Sequence, residues 1–154
     1  MRLHQKSFSV FADYNQFYLW DADMNPEPPL DYSDDDIPRR IKTGEHVVVI
    51  MTQRNMTVAV EVEIHDAEPA YDVAAWDHVA EASLLLSTGH LQVHECTGEA
   101  VADFSLDKGW YRARAFYGGF DTIDASGLEG EDHYLVALWP APEQELCVIK
   151  QWHA

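Results

Sequence analysis

The feature that most constrains the fold of this chain is a set of runs whose side chains alternate with a period of two. Glycine and proline bound these runs. Residues 110–117 and 133–140 are rich in aromatic and β-branched side chains, and Gly118 and Gly119 end the first run. Neither run has the 3.6-residue repeat of a helix, so both predict β-strands. Apolar side chains fall on both faces of each strand, which is typical of strands in the middle of a layered β structure, covered on each side.

Two arginines interrupt this apolar pattern on one face of the strand 110–117. Arg112 and Arg114 need a partner there, because a buried charge without one is costly. Glu81, in the middle of the predicted strand 79–86, is the candidate partner for either arginine. In an alternative interpretation, Arg112 and Arg114 bind a small anionic ligand at the base of a pocket, since guanidinium groups suit carboxylates and phosphates. The chain would then be a ligand-binding sandwich or an enzyme.

Similar runs recur along the chain, separated by short turns. Residues 47–51 and 57–65 predict one hairpin, and residues 79–86 and 90–94 predict another. Residues 7–20 suit a pair of short strands or one bulged strand.

A short helix is predicted between Ser33 and Gly44. Ser33 and the three aspartates after it suit a helix start, Pro38 fits only near the beginning, and Gly44 suits the stop. The sequence therefore predicts an all-β fold, an antiparallel β-sandwich of about eight to ten strands with one short helix. The 154 residues are expected to form a single β-sandwich domain, residues 1–154.

The charge of the chain limits its partners. It has 10 Lys and Arg against 27 Asp and Glu, a net charge of −17, so we expect no direct nucleic-acid binding and no anionic membrane surface as partner. A basic protein is the favoured partner, although a charge of this size also serves solubility alone. No apolar run approaches the roughly 20 residues that span a bilayer, and the N-terminus is too polar for a secretory signal. The predicted location is cytoplasmic, and a homodimer is left open.

Motifs for catalysis or cofactor binding are missing from the sequence. His90 and His94 are four residues apart, which on a strand separates them by about 13 Å, too far to share a metal ion. Cys96 and Cys147 do not make a disulfide framework, so free, buried thiols are the favoured prediction, and a disulfide between the two is left open. There is no nucleophile elbow and no phosphate-binding glycine loop. We therefore predict no enzyme activity, no catalytic residues, no metal and no cofactor.

A patch of acids and aromatic rings marks the N-terminal third. Eight acids and no Lys or Arg lie between positions 13 and 36. Carboxylates that steer a basic partner, beside rings that supply buried area, are what a protein-binding patch needs. The predicted partner-binding residues are Trp20, Tyr32, Asp34, Asp35 and Asp36. An alternative is that the rings only pack over the edge of the sandwich.

Three segments carry a family resemblance: residues 10–19, residues 30–37 and residues 48–55. With Tyr14-Asn-Gln-Phe17 in the first and Tyr32-Ser-Asp-Asp35 in the second, the chain resembles the competence protein ComJ family most clearly over its first 65 residues. That family is known for inhibition of a DNA-entry nuclease. The resemblance implies a small acidic inhibitor that occupies the basic cleft of a nuclease, or an immunity protein if that nuclease is a toxin.

Overall fold

Eleven strands in two sheets form the framework of the protein, in a computed structural model that describes all residues from 1 to 154. In chain order the strands are β1 (Arg2–Phe11), β2 (Gln16–Asp21), β3 (Ile41–Gly44), β4 (Val47–Met51), β5 (Thr57–His65), β6 (His78–Leu86), β7 (His90–Glu95), β8 (Ala100–Ser105), β9 (Gly109–Gly118), β10 (His133–Pro140) and β11 (Cys147–Lys150). The one α-helix is α1 (Asp36–Arg39), and 3₁₀ turns occupy Asp13–Asn15, Ala22–Met24 and Phe120–Thr122. None of these helices has the length and apolar character needed to cross a membrane.

The two sheets pack face to face, which confirms the predicted β-sandwich. One sheet has six strands in the order β1-β5-β10-β9-β6-β11, and the other has five in the order β3-β4-β2-β7-β8. Neighbours run antiparallel except β5 and β10, which are parallel. The count of eleven exceeds the predicted eight to ten. The predicted helix is confirmed but spans only four residues, and β3 follows it where the sequence suggested more helix.

The core lies between the sheets and contains 27 buried apolar residues in one cluster. Alternation along β9 points Tyr111, Ala113, Ala115 and Tyr117 into this core. Arg112, Arg114 and Phe116 point to the outer face of the six-stranded sheet, where two segments, residues 66–77 and 141–146, cover them. β9 and β10 pair with each other, and the prediction that both strands are covered on each side is confirmed. Gly119 ends β9 with a φ of 73°, and a Cβ there would meet the carbonyl oxygen of Glu131 at 2.6 Å.

The predicted hairpins are wrong. β4 belongs to the five-stranded sheet and β5 to the six-stranded one, and β6 and β7 are divided in the same way. Residues 7–20 contain parts of β1 and β2, which also lie in opposite sheets. The short connections 52–56 and 87–89 cross between the sheets instead of turning back within one. A short polar turn suits either path, because each strand has an apolar face that can be buried in both arrangements.

Candidate protein-binding surface

The outer face of the five-stranded sheet brings two of the predicted binding residues together. On β2, Phe17 and Leu19 point into the core, so Tyr18 and Trp20 point outward. We call the apolar group on this face the outer cluster. Its members are Tyr18, Val47, Val49 and Met51, with Trp20, Tyr32 and Cys96 packed against them. Trp20 and Tyr32 are both partly exposed at its edge.

Trp20 is held in place by its neighbours on the sheet. Its ring stacks on Tyr18 at 5.3 Å between centroids and lies 4.8 Å from the ring of His94. Its Nε1 donates a hydrogen bond of 3.0 Å to Oε1 of Gln92. The side chain is therefore ordered before any partner arrives, which lowers the entropic cost of using it as an anchor.

Residues 25–35, the acidic loop, lie beside the outer cluster and are tied to the sheet. The Tyr32 hydroxyl donates to Oε1 of Gln16 at 3.2 Å. Lys42 Nζ donates to the carbonyl oxygen of Asp31 at 2.6 Å and lies 5.0 Å from the centre of the Tyr32 ring. Burial, with Cys96 nearby, raises the pKa of the Tyr32 hydroxyl above its ordinary value, so it remains a neutral donor.

The three predicted aspartates have different environments. Asp36, the first residue of α1, accepts from Lys42 Nζ at 2.7 Å and from the backbone N–H of Ser33 at 2.9 Å. These donors lower the pKa of Asp36 to about 2. Asp34 and Asp35 are exposed and take part in neither hydrogen bonds nor salt bridges. Asp36 therefore stabilises the loop, while Asp34 and Asp35 have carboxylates available to a partner.

Further carboxylates and several apolar side chains add to this surface. Glu27 and Asp31 are exposed on the acidic loop, and their carboxylates are also unpaired. Leu30 is 93% exposed, Tyr14 68% and Ile37 56%. Exposed apolar groups among charged ones mark protein-binding surfaces. Sequence reasoning missed Leu30 and Ile37, although isolated apolar residues within an acidic run are a usable signal.

Arg112 and Arg114, proposed as an alternative ligand site, lie on the opposite side of the sandwich and are each only 2% exposed. Arg112 Nε donates to Glu81 at 2.6 Å, and Arg114 donates to Glu81 at 3.2 Å and to Glu68 at 2.6 Å. The predicted pairing with Glu81 is confirmed for both arginines. These carboxylates and the covering segments favour a structural role for Arg112 and Arg114 over the ligand-binding interpretation.

The histidines and cysteines are dispersed. No three His, Cys, Asp or Glu side chains come together in a way that could hold a metal ion. His90 sits between Asp23 at 2.9 Å and Asp103 at 2.6 Å. Cys96 and Cys147 are free thiols, as predicted, but Cys96 is partly exposed and Cys147 is exposed. The prediction that both thiols are buried is therefore wrong, because each lies outside the core between the sheets.

Comparison with known proteins identifies the fold. No protein-family model and no curated protein matches the sequence. The crystal structure of ComJ from Bacillus subtilis, described as an inhibitor of the DNA degrading activity of NucA, superposes with a TM-score of 0.73. The match covers 92% of this chain and 99% of ComJ, at 15% sequence identity. This is the ComJ fold. The resemblance inferred from the first 65 residues is thus confirmed as a shared fold over nearly the whole chain.

A second solved structure is also similar to this chain. It is described as crocagin biosynthetic gene J, and it superposes with a TM-score of 0.59 at 15% identity. The match covers 91% of this chain and 100% of that one. At such identities the ComJ fold is shared while the surface residues are free to differ, so the binding surface must be argued from this chain's own side chains.

Proposed function

We propose that this protein is a non-enzymatic inhibitor that binds a nuclease through the outer cluster and the acidic loop. The observation that carries the proposal is the concentration of unpaired carboxylates and exposed apolar side chains on one face of a ComJ fold. The printed description of ComJ as an inhibitor of NucA supports a nuclease as the class of target. The sharing of a fold supports this choice by analogy, and the surface chemistry supports it independently.

The physical basis of inhibition is competition with DNA for a basic cleft. A nuclease must present positive charge to bind the phosphate backbone. Four unpaired carboxylates, on Glu27, Asp31, Asp34 and Asp35, repeat negative charge along the acidic loop as phosphates do along a strand. The net charge of −17 attracts such a partner over distance and accelerates association.

Each residue has a separate role in this proposal. Trp20 and Tyr32 are the anchors, because large, pre-ordered rings supply the desolvated contact area that dominates binding energy. Asp34 and Asp35 steer the partner and pair with its basic side chains. Asp36 contributes by holding the acidic loop and α1 in position through Lys42.

Inhibition of this kind requires no catalysis by the chain and no cofactor. The target is either a nuclease that processes incoming DNA or a nuclease toxin, and in the second case the chain is an immunity protein. We place the protein in the cytoplasm, where the two free thiols, Cys96 and Cys147, would persist as thiols.

The test is inhibition of DNA hydrolysis by purified nucleases in the presence of this protein, with NucA as one of the enzymes. We expect stoichiometric inhibition of at least one of them, weakened by added salt. A parallel binding assay with DNA alone checks that the protein does not act by sequestering the substrate. Full nuclease activity across the set at a hundredfold excess of this protein would contradict the proposal.

A further inference from the structure

Arg40 differs from every other arginine of the chain. Five of the six arginines form salt bridges with carboxylates: Arg2, Arg39, Arg54, Arg112 and Arg114. Arg40 forms none, in a protein with 27 acidic residues. Since acids are abundant on this chain, the missing partner is a specific property of the site.

The surroundings of Arg40 desolvate its charge without neutralising it. The guanidinium lies 5.2 Å from the ring centre of Phe120 and 4.9 Å from that of Trp152. Nη1 donates to Oε1 of Gln53 at 2.6 Å, and Nε is buried with no acceptor. Burial lowers the pKa of Arg40 below its ordinary value. A cation removed from water in this way is costly until an anion compensates it.

Arg40 and its hydrogen-bond partner Gln53 both line a cavity of about 410 Å³, within the size range of small-ligand pockets. Its wall combines apolar groups with hydroxyl and amide groups. Its lining includes Tyr14, Asn15, Tyr32, Arg40 and Gln53. Such a wall suits a short apolar stem that ends in a polar, negatively charged head.

Left-handed backbone is concentrated around the same cavity. Of the five non-glycine residues with positive φ, three line it: Tyr14 at 57°, Asn15 at 58° and Arg40 at 62°. Each such residue costs of the order of 1 kcal/mol or more, and clusters of them occur where a binding site is held in a fixed shape. Asn15 Nδ2 fixes this shape by donating to the carbonyl oxygens of Thr52 and Gln53 at 3.3 and 3.2 Å.

The side chain of Gln53, the hydrogen-bond partner of Arg40, is neutral, so it leaves the positive charge of Arg40 uncompensated. A glutamate has the same shape as this glutamine and would form an internal salt bridge with Arg40, but the chain has the neutral amide there. We propose that this cavity is a binding site for a carboxylate group, with the Arg40 guanidinium as its cationic partner. The site rests on these residues alone and does not require the partner of the protein to be a nuclease.

A carboxylate fits better than a phosphate. The guanidinium edge is planar and forms paired hydrogen bonds with the two oxygens of a carboxylate. The surrounding charge of −17 also opposes a doubly charged phosphate more strongly than a singly charged carboxylate. The carboxylate comes either from an acidic side chain of a protein partner or from a free small acid, and the two sources are distinguished by choice of probe.

The test is an NMR titration of ¹⁵N-labelled protein at constant ionic strength. One arm uses N-acetyl-L-aspartate α-methylamide as a model of a protein side chain, the second uses succinate, and the third uses inorganic phosphate. We expect saturable shifts at residues 14–16, 40 and 52–53 with at least one carboxylate, with dissociation constants in the millimolar range for probes of this size. Stronger binding of the blocked aspartate assigns a protein side chain to the site, and stronger binding of succinate assigns a free acid.

Two variants make the result decisive. Gln53→Glu supplies the missing carboxylate internally, so we expect a higher melting temperature and at least tenfold weaker probe binding. Arg40→Gln removes the cation and should abolish binding in protein whose spectrum shows that it is folded. The proposal is overturned by shifts that do not saturate at 50 mM, by phosphate binding tighter than either carboxylate, or by unchanged probe affinity in both variants.

Discussion

The two outer faces of the sandwich carry similar residue types and use them differently. On the six-stranded sheet, Glu81 accepts from both Arg112 and Arg114, and Glu68 completes the cluster. On the acidic loop beside the five-stranded sheet, the exposed carboxylates of Asp34 and Asp35 have no partner within the chain. Carboxylates and rings on this protein therefore acquire their role from the residues that cover them. Those with internal partners stabilise the fold, and those without are available for binding.

The aromatic side chains of the two faces also differ in how far other residues cover them. Arg114 lies between the rings of Tyr71 and Trp139, at 3.8 and 4.6 Å from their centres. Trp139 is 5% exposed, whereas Trp20 on the other face remains partly exposed. The first face is largely closed by its own loops, so most of its aromatic area is already buried, although Trp110 and Tyr71 stay exposed. The second face retains aromatic area that a partner can bury.

The largest expected effect comes from removing the Glu81 carboxylate on the outer face of the six-stranded sheet, the closed face. Glu81→Ala leaves two buried guanidinium groups without their shared carboxylate, so we expect the free energy of unfolding to fall by about 3–5 kcal/mol. Urea denaturation measures this change. Exposed Glu143, on a segment that covers the same face, provides the control, since Glu143→Ala should change stability by less than about 0.5 kcal/mol. A loss below 1 kcal/mol for Glu81→Ala would show that the cluster is not structural.

Removal of the Trp20 ring from the outer face of the five-stranded sheet, the open face, should weaken binding of the partner. Trp20→Ala is expected to weaken binding of the nuclease by about 2 kcal/mol, roughly 30-fold, if this ring is a hot spot. Trp110, which is 37% exposed and belongs to the six-stranded sheet, is the matched control, and Trp110→Ala should leave affinity unchanged. Isothermal titration calorimetry on folded variants measures both. Equal losses in the two variants would remove the distinction between the faces.

Charge reversal on the acidic loop should slow association. The double variant Asp34→Lys and Asp35→Lys is expected to reduce the association rate about tenfold and to weaken its salt dependence, because steering charges act mainly on this rate. Asp72→Lys with Asp107→Lys makes the same change in net charge at exposed positions away from the acidic loop. Stopped-flow mixing at two salt concentrations compares them. Identical rates for the two double variants would mean that only total charge matters.

Asp36 should behave as a structural residue with a defined pH dependence. Its pKa is lowered to about 2 in the folded protein, against about 3.9 in an unfolded chain. Its contribution to stability is therefore present above about pH 4 and is lost as the pH falls toward 2. We expect Asp36→Asn to be less stable than the parent at pH 6 and equal to it near pH 2 by thermal unfolding. A difference independent of pH would contradict the ionic role.

His90 offers the smallest effect, with the opposite sign. Hydrogen bonds that the His90 ring donates to Asp23 and then to Asp103 raise the pKa of His90 above its ordinary value. The stabilisation is fully present below about pH 6.5, the unfolded value, and is lost as the pH rises through the higher folded value. The stability difference between the parent and His90→Gln should shrink between pH 5.5 and pH 8.5. A difference that grows with pH would reverse this assignment.

Local sequence patterns predicted the closed face better than the sheet connections. The two arginines on a strand with two apolar faces required a buried acid, and Glu81 was identifiable from its position inside another such strand. The destinations of β4 and β5 were not predictable, because a short turn suits both a hairpin and a crossing between sheets. Similarly, Trp20 and Tyr32 were found as rings among acids, but Asp36 resembled Asp34 until the position of Lys42 was known.

The cavity beside Arg40 could not be predicted from sequence. It is formed by segments distant in the chain, including residues 14–16, 40 and 51–53. Its defining property is the Arg40 guanidinium without a carboxylate partner. The lack of a partner can be recognised only when the positions of all neighbouring side chains are known. Exposed Leu30, by contrast, is recognisable in the sequence as an apolar residue between Pro29 and Asp31.

The most direct test of the account is hydrogen exchange of this protein, free and bound to an inhibited nuclease. Backbone amides of residues 25–35 are largely outside the sheets and should exchange quickly in the free protein. We expect complex formation to slow exchange throughout this acidic loop and to leave residues 66–77, on the opposite face, unchanged. Protection of residues 66–77 with none at residues 25–35 would contradict the claim that the open face binds the partner.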